Sequence, residues 1–422
     1  MSAPDLDAAL RSLCGDDVAL DRRPLELEGT LRCRPIADTL ASIGSRFADL
    51  GITRLIDLTP LDRVGVPVFN VCVPNPRTEC YAAGKGLTRD ACLVSALMEA
   101  FELRAALARQ PRHEVLGRRH VDMAALGEAI APADLPLPVR GDFTGDERHD
   151  WLRCLELGTG RPVHLPADLF GFAYGRGPGI TRAVPRGNTN GLASGNSAYE
   201  AILHGLYELI ERDALVLSNF GQPRRLLVPR AGLGPRLDEL LDRIDGAGLE
   251  LRLFDLTSDL DVPTYQAYLV DPCGFATYHL HTGHGCHHDG RVALARAITE
   301  ACQVRLTTFA GAREDVADPV VDEAAYRALV SCHEAATPTA LPPTGPPLDL
   351  DLAVADLLER LAAVGCPDVY VASLGLPGFE QVAMRCYAPG LEAPNRDDAG
   401  QLAVGARGWS YREQHGARHF GF

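Results

Sequence analysis

Three long stretches of this chain, Arg89 to about Arg109, Ala198 to about Ser218 and 291–311, space their apolar residues at the helical period. The first is entered through Gly84-Lys85-Gly86-Leu87-Thr88, the second through the glycine- and asparagine-rich run PRGNTNGLASGN. Upstream, Asp38-Thr39 followed by LASIGSRFADLG predicts a helix with an N-cap and a glycine stop. Runs rich in β-branched residues predict strands: ITRLIDLT (52–59) and VPVFNVCVP (66–74) around the turn PLDRVG, then LELRLFDLT and PTYQAYLVD. Late in the chain DLLERLAAVG predicts a helix, and DVYVASLG and QVAMRCYAP two more strands. The stretch 110–185 is rich in Pro and Gly, with short strand candidates in WLRCLEL and RPVHLPADLFGF, and reads as an excursion rather than a second core. ATPTALPPTGPPLDLD (336–351) reads as a proline-rich surface linker. Helices and strands do not alternate as strict βαβ units, so the expected class is α+β, or an irregular α/β sheet, with mixed sheets and three long acidic helices.

A polar pattern repeats on this apolar background. Glu99-Ala-Phe-Glu102, Glu208-Leu-Ile-Glu211 and Glu300-Ala-Cys-Gln303 form one motif in three copies. At 3.6 residues per turn both polar residues of each copy share a helix face, and Glu200 shares the face of Glu208 and Glu211. Their neighbours Val94, Leu97 and Met98, then Ile202, Leu206 and Ile210, mark core helices that nevertheless carry acids. Isolated carboxylates in a low-dielectric interior protonate, so acids repeated there are best explained by divalent cations that keep them ionised. A carboxylate-only donor set suits Mg²⁺, which retains waters and bridges to phosphate oxygens. Di-iron helices need Glu-x-x-His, and no Glu in this chain has His at i+3. Lys85 before the first helix, the loop from Asn188 to Asn196 before the second, Arg212 after Glu211 and Arg305 after Gln303 set cations and backbone N–H groups beside the acids. GKG at 84–86 lacks the G-x-x-x-x-G-K-[ST] frame of a Walker loop, so the pattern suggests a triphosphate clamped by metals, with phosphoryl transfer as the chemistry.

Composition narrows the partners. The 422 residues are 46% hydrophobic and 23% charged, as a folded globular chain requires, and a net charge of −15 argues against a nucleic-acid or anionic-membrane partner. Lys85 is the only lysine and every other cationic side chain apart from histidine is arginine, which singles it out, because a compact ammonium does not replace a planar guanidinium in a tight site. The 12 cysteines contain no C-x-x-C, and the acidic opening MSAPDLDAALRSLCGDD lacks the basic start and apolar core of a signal peptide, so a cytoplasmic location is expected. His281, His284, Cys286, His287 and His288 in HTGHGCHH admit a zinc site, loop histidines, or a proton shuttle at His287. Asp213 and Asp315 read as caps or solvated charges, and GRGPG (175–179) lacks the frame of a dinucleotide site.

The runs GKGLTRDACLVSALMEAFE (84–102), NTNGLASGNSAYEAILHGLYELIERDA (188–214) and RVALARAITEACQVRLTTFAGARED (291–315) together resemble the YcaO superfamily, with support from LDRVGVPVF, CHHD and APGLE. That resemblance implies the YcaO fold, in which ATP and Mg²⁺ lie among helix-borne glutamates without a P-loop. By position it makes Glu99, Glu102, Glu208 and Glu211 magnesium ligands and Asn196, Glu200 and Arg212 nucleotide contacts. Arg32 and Thr39 fall where the family has a Lys and a Ser touching ATP, Glu300, Gln303 and Arg305 match the third motif on the phosphate side, and Leu103 stands where many members have arginine. The chemistry implied is activation of a peptide backbone amide: a nucleophile adds to the carbonyl, the oxyanion attacks the γ-phosphate of ATP, and loss of phosphate leaves an azoline, an amidine or a thioamide.

The resemblance covers roughly residues 28–392, with 1–27 expected as an N-terminal segment and 393–422 as a tail. The ending RHFGF lacks the Pro-x-Pro-x-Pro tail of many azoline formers, and no leader-binding domain is expected within this length. LEGTLRCRPIADTL and GITRLIDLTPLDRVG are similar to members that work beside a TfuA-like protein in thioamide formation, while standalone azoline and macroamidine formers share the missing tail. The expected partners are a precursor peptide, a TfuA-like or E1-like leader-binding protein and a second copy in a homodimer. The alternative function is a nucleotide-binding accessory protein that modulates a ribosomal protein modifier without activating an amide.

Overall fold

In the computed structural model, which describes residues 3–27, 29–75, 81–125, 129, 146–175, 178–180, 188–220, 225–227, 232–272, 280–311, 337–340, 344, 347–394 and 404–415, each acidic helix follows directly on a strand. β1 (Tyr81–Lys85) leads into α1 (Arg89–Leu107), β2 (Leu192–Gly195) into α2 (Ala198–Phe220) and β3 (Leu280–Cys286) into α3 (Gly290–Phe309). Thr88 caps α1 by accepting from Ala91 N, and Asp289 caps α3 by accepting from Arg291 N and Val292 N.

Each of these strands ends a different sheet. β1 closes an antiparallel sheet of three with Arg54–Asp57 and Val68–Cys72. β2 closes the largest sheet, pairing with Val382–Tyr387, which continues through Tyr370–Ser373 and Arg148–Glu156 to Glu114–Arg119, while Pro162–Pro166 also pairs with Arg148–Glu156. β3 closes a five-stranded sheet that runs through Thr264–Val270, Glu250–Asp255 and Arg225–Leu227 to Thr337–Thr339. Only the last of these pairings is parallel among the described strands.

Glycine lets each strand lie close on its own helix, and the close approaches fall at matching offsets in the three units. A Cβ on Gly84 would fall 2.0 Å from Cys92 O and 2.6 Å from Ala96 N, and one on Gly285 would fall 2.0 Å from Ala293 O and 2.8 Å from Ala297 N. The offsets along the chain are the same, so Glu99 and Glu300 are equivalent. Gly86 and Gly195 meet Cys92 N at 2.8 Å and Ala201 N at 2.7 Å, which aligns Glu208 with Glu99 and Glu211 with Glu102. Gln303 holds the remaining place, so the third unit is the one with a neutral second member.

Several expectations change. The first internal helix runs Ile36–Ile43 from Pro35 and is followed by a separate turn, Phe47–Leu50, ended by Gly51 at φ 73°. Asp38 and Thr39 therefore lie inside the helix rather than capping it, because Pro35 fixes the entry one turn earlier. The described part of 110–185 is no excursion: Trp151, Leu152, Cys154 and Leu165 are fully buried, and Arg148–Glu156 is an interior strand of the largest sheet. The Pro and Gly content reflects connections around that strand, whose own run WLRCLE is largely buried on both faces. The late helix, α4 (Leu350–Ala363), starts inside the proline-rich run, and its Val354 and Leu357 pack with Tyr199, Ile202 and Leu206 of α2 and with Leu10 and Leu13 of the N-terminal helix Ala3–Cys14. A final helix, α5 (Ala406–His415), packs against α2. Asp315 and the run RHFGF lie outside the described residues. Among the described residues no helix is long and apolar enough to cross a membrane.

Candidate functional site

The three units turn their polar helix faces toward one another, and residues of one unit hold the acids of the next. Ser194 at the end of β2 donates both its backbone N–H and its hydroxyl to Glu102 Oε1, each at 2.7 Å. Lys85 at the end of β1 forms an ion pair with Glu300 of α3, and Gln303 donates to Ala83 O of β1. Within their own units Ala83 N donates to Glu99 at 3.3 Å and His284 N to Glu300 at 3.4 Å, so strand backbone orients the first acid of the motif. On α2, Arg212 lies 3.4 Å from Glu211 and 3.7 Å from Glu208.

Electrostatics separate these carboxylates. Burial, with the nearby charges of Glu99 and Glu208, pushes Glu102 up to about 8 against the Ser194 hydrogen bonds. Burial likewise raises Glu208, with Arg212 opposing and Glu211 adding to the rise. Glu211 is buried too, yet Arg212, His284, Lys85 and Arg296 together hold it below the ordinary carboxylate value. Buried acids that repel one another are a site short of positive charge. Among the described residues no group of three or more His, Cys, Asp or Glu lies close enough to cage an ion alone. A cation here would complete its shell from water and phosphate, which is the habit of Mg²⁺.

These shifts carry a prediction. Glu102 titrates near 4.5 when unfolded and about 8 when folded, so between these values the native state binds the extra proton and stability falls as pH rises through that window, levelling above about 8. At pH 8.5, where Glu102 is ionised beside Glu99 and Glu208, Mg²⁺ with a non-hydrolysable ATP analogue should therefore raise the melting temperature more than it does at pH 5.5. Thermal melts at the two pH values, with and without the ligands, check it; no Mg²⁺ effect at pH 8.5 would contradict the assignment.

Beside the acids opens a cavity of about 340 Å³. Arg32, Glu200, His204 and Arg296 form its polar wall and Leu31, Leu203, Val292 and Leu350 its apolar one. Arg32 Nε is 3.7 Å from Glu200, whose other oxygen accepts from Cys33 N at 2.9 Å. Asn196 reaches Glu200 at 3.4 Å and accepts from the Thr39 hydroxyl at 3.0 Å. Arg296 donates to His204 Nε2 at 3.1 Å, its Nε has no hydrogen-bond partner, and burial lowers its pKa. A buried guanidinium that, among the described residues, donates to a neutral imidazole and leaves Nε unpartnered is suited to receive an anion.

The sequence-selected residues thus divide. Arg32, Thr39, Lys85, Glu99, Glu102, Asn196, Glu200, Glu208, Glu211, Arg212, Glu300 and Gln303 fall in one region, held in small groups by the bonds above, with charge interactions among the acids and their cations. Arg305 stands apart: its guanidinium is buried between Asp62 at 3.0 Å and Asp271 at 2.9 Å, so its charge is already matched. His287 lines the cavity and stacks on Tyr207, but its Nδ1 accepts from Asp289 N at 2.9 Å, and burial with Arg296 nearby holds it well below its ordinary value. That hydrogen bond fixes the neutral Nε2–H tautomer, a hydrogen-bond donor rather than a base. The histidine run is a strand whose members disperse: His284 goes to Glu300, and His288 to Tyr207 and Asp356. Asp213 is fully buried and paired with Arg407, neither cap nor solvated charge. Sequence reasoning passed over Arg296, His204, Ser194 and Arg385, the last of which ties the loop before β2 through Asn188 at 2.9 Å and Asn190 O at 3.2 Å. The available signal for Arg296 was its place one turn before Glu300, on the same helix face.

Residues 83–392 match the sequence model of the family described as YcaO cyclodehydratase, ATP- and Mg²⁺-binding. An uncharacterised protein from the tfuA 3′ region of Rhizobium leguminosarum bv. trifolii is 33% identical over 88% of this chain and 90% of its own length. An uncharacterised protein of Methanothermobacter thermautotrophicus is 36% identical over 66% of this chain and 72% of its own. Among solved structures, the YcaO protein of Methanopyrus kandleri bound with AMPPCP and Mg²⁺ superimposes with a TM-score of 0.70 at 24% identity, covering 90% of this chain and 98% of that one. A heterocyclase in complex with substrate and cofactor superimposes with a TM-score of 0.71 at 21% identity over 88% of this chain and 55% of its own.

Proposed function

This chain belongs to the YcaO family, and from that premise we propose that it uses ATP and Mg²⁺ to activate backbone amides of a ribosomally made peptide by O-phosphorylation. The observation that carries the reading is the pairing of opposites in one place: buried carboxylates of α1 and α2 that repel one another, beside the buried Arg296, whose Nε has no hydrogen-bond partner among the described residues. Glu99, Glu102, Glu208 and Glu211 would hold magnesium, and Arg212 and Arg296 the phosphates. Arg32, Asn196 and Glu200, with the apolar wall of the cavity, would take the nucleoside end. When bound, the nucleotide supplies an electrophilic γ-phosphoryl group that turns the amide oxygen into a leaving group, while the metals neutralise charge on that group. Lys85, through Glu300, ties β1 to α3 and so fixes the first unit against the third. Neutral His287 donates from Nε2 to whatever acceptor enters the cavity.

Within the family's chemistry we favour thioamide formation, with sulfide as nucleophile and a TfuA-like protein as partner. A relative encoded beside tfuA, similar over nine-tenths of its length, supports that branch over azoline or amidine formation. The test is to incubate the protein, with and without a TfuA-like protein from the same source, with MgATP, sulfide and each short peptide encoded beside its gene. The expected result is one ADP and one phosphate per modified amide and a peptide heavier by about 16 mass units, oxygen replaced by sulfur. A peptide lighter by about one water places the chain in the azoline or amidine branch. Nucleotide bound but never hydrolysed with any peptide would replace the enzyme by the accessory reading.

A further inference from the structure

The C-terminal helix α5 lies beyond residue 392, where the family match ends, yet it supplies the partner of a buried charge on the site's own helix. Asp213 follows Arg212 on α2 and is fully buried. Arg407 of α5, itself 9% exposed, forks onto it with Nε at 2.9 Å and Nη2 at 3.0 Å, and extends its outer nitrogens to Asp259. Glu392 N donates to Asp213 at 2.9 Å, and the Glu392 carboxylate in turn accepts from Gly405 N at 2.8 Å and Gly408 N at 2.7 Å. The last family-matched residue, the start of α5 and α2 are thus tied into one knot.

At about 100° per residue, Asp213 points roughly opposite to Glu211. The turn of α2 that presents Glu211 and Arg212 is therefore held from behind by Arg407. Removing one member of a buried ion pair leaves the other uncompensated, and the structure must move to rehydrate it. A site that binds metal and phosphate tolerates shifts of only about half an ångström. We propose that Arg407 is a positioning residue of the nucleotide site, through which the C-terminal helix sets the geometry of Glu211 and Arg212. This rests on the reading that those two residues hold MgATP.

The test is calorimetric titration of the full chain with AMPPCP in excess Mg²⁺, well below the melting temperature. Arg407→Ala should bind about tenfold more weakly. Arg407→Lys, which keeps the charge but loses the fork, should fall between it and the wild type, and serves if the alanine variant does not fold. Asp259→Asn, which spares the Asp213 pair, should bind as the wild type does. Leu165→Ala, a cavity in the fully buried core of the strand Pro162–Pro166, should lower the melting temperature and leave affinity unchanged, as a merely structural effect would. Wild-type affinity in Arg407→Ala and Arg407→Lys, or equal weakening in Leu165→Ala, overturns the proposal. If Glu211→Gln binds as tightly as the wild type, the reading of the site falls and the proposal with it; if Glu211→Gln is weak and the Arg407 variants are not, the proposal alone falls.

Discussion

Glu211→Gln should lower MgATP turnover by about 10³-fold or more in kcat/KM while leaving the fold intact. Glu211 is 5% exposed and is the carboxylate of the cluster that its surroundings hold ionised, through Arg212, His284, Lys85 and Arg296. Glutamine keeps the volume and one acceptor oxygen, removes the charge and turns the other oxygen into a donor that cannot ligate a cation. The loss should therefore appear as a need for more Mg²⁺ as well as a lower rate, and chelation of Mg²⁺ should bring the wild type to the same level. Phosphate release measured over a Mg²⁺ titration checks this. A loss below about tenfold with unchanged Mg²⁺ dependence would remove Glu211 from the metal site.

Arg296→Met should move stability and affinity in opposite directions. The guanidinium is buried, among the described residues it donates to neutral His204 and leaves Nε unpartnered, and burial outweighs the nearby charges of Glu211 and Glu208, so in the nucleotide-free protein it is a cost. Methionine fills similar space without charge, and the free protein should melt higher. ATP should bind about 100-fold more weakly, because the charge-assisted bonds to phosphate are gone. A melting curve and a nucleotide titration on the same preparation read both. Lower stability with unchanged affinity would show a structural arginine like Arg305, whose two aspartates already match it.

The parts of this molecule that were legible in its sequence are those where one period dominates. The three acidic helices were placed within a few residues because their apolar spacing is long and regular, and the two E-x-x-E copies and the E-x-x-Q copy align by sequence alone. The strand pairs near residues 52–74 and 249–271 were legible for the same reason. The strand Arg148–Glu156 was legible in part, as the candidate WLRCLEL, but its interior place in the largest sheet was not, because both its faces are buried and Pro and Gly in its flanks read as loop. The helix after Pro35 began a turn earlier than its N-cap signal, since proline at the entry outweighed Asp38-Thr39. At the site, residue types were legible and pairings were not. Gln303 and Lys85 could be singled out, but that they bridge β1 and α3 depends on how three separate sheets meet. Arg305 beside Gln303 was misleading for that reason: five residues from Glu300 it lies on another helix face, where Asp62 and Asp271 wait.

The central claim is that magnesium, held by α1 and α2, joins these helices to a nucleotide. Crystals grown with AMPPCP and Mn²⁺ in place of Mg²⁺ test it through anomalous scattering. The account predicts metal peaks about 2.1 Å from carboxylate oxygens of the Glu99/Glu102 and Glu208/Glu211 pairs, with the phosphates reaching toward Arg212 and Arg296. Peaks elsewhere, or nucleotide bound with those carboxylates untouched, would contradict it.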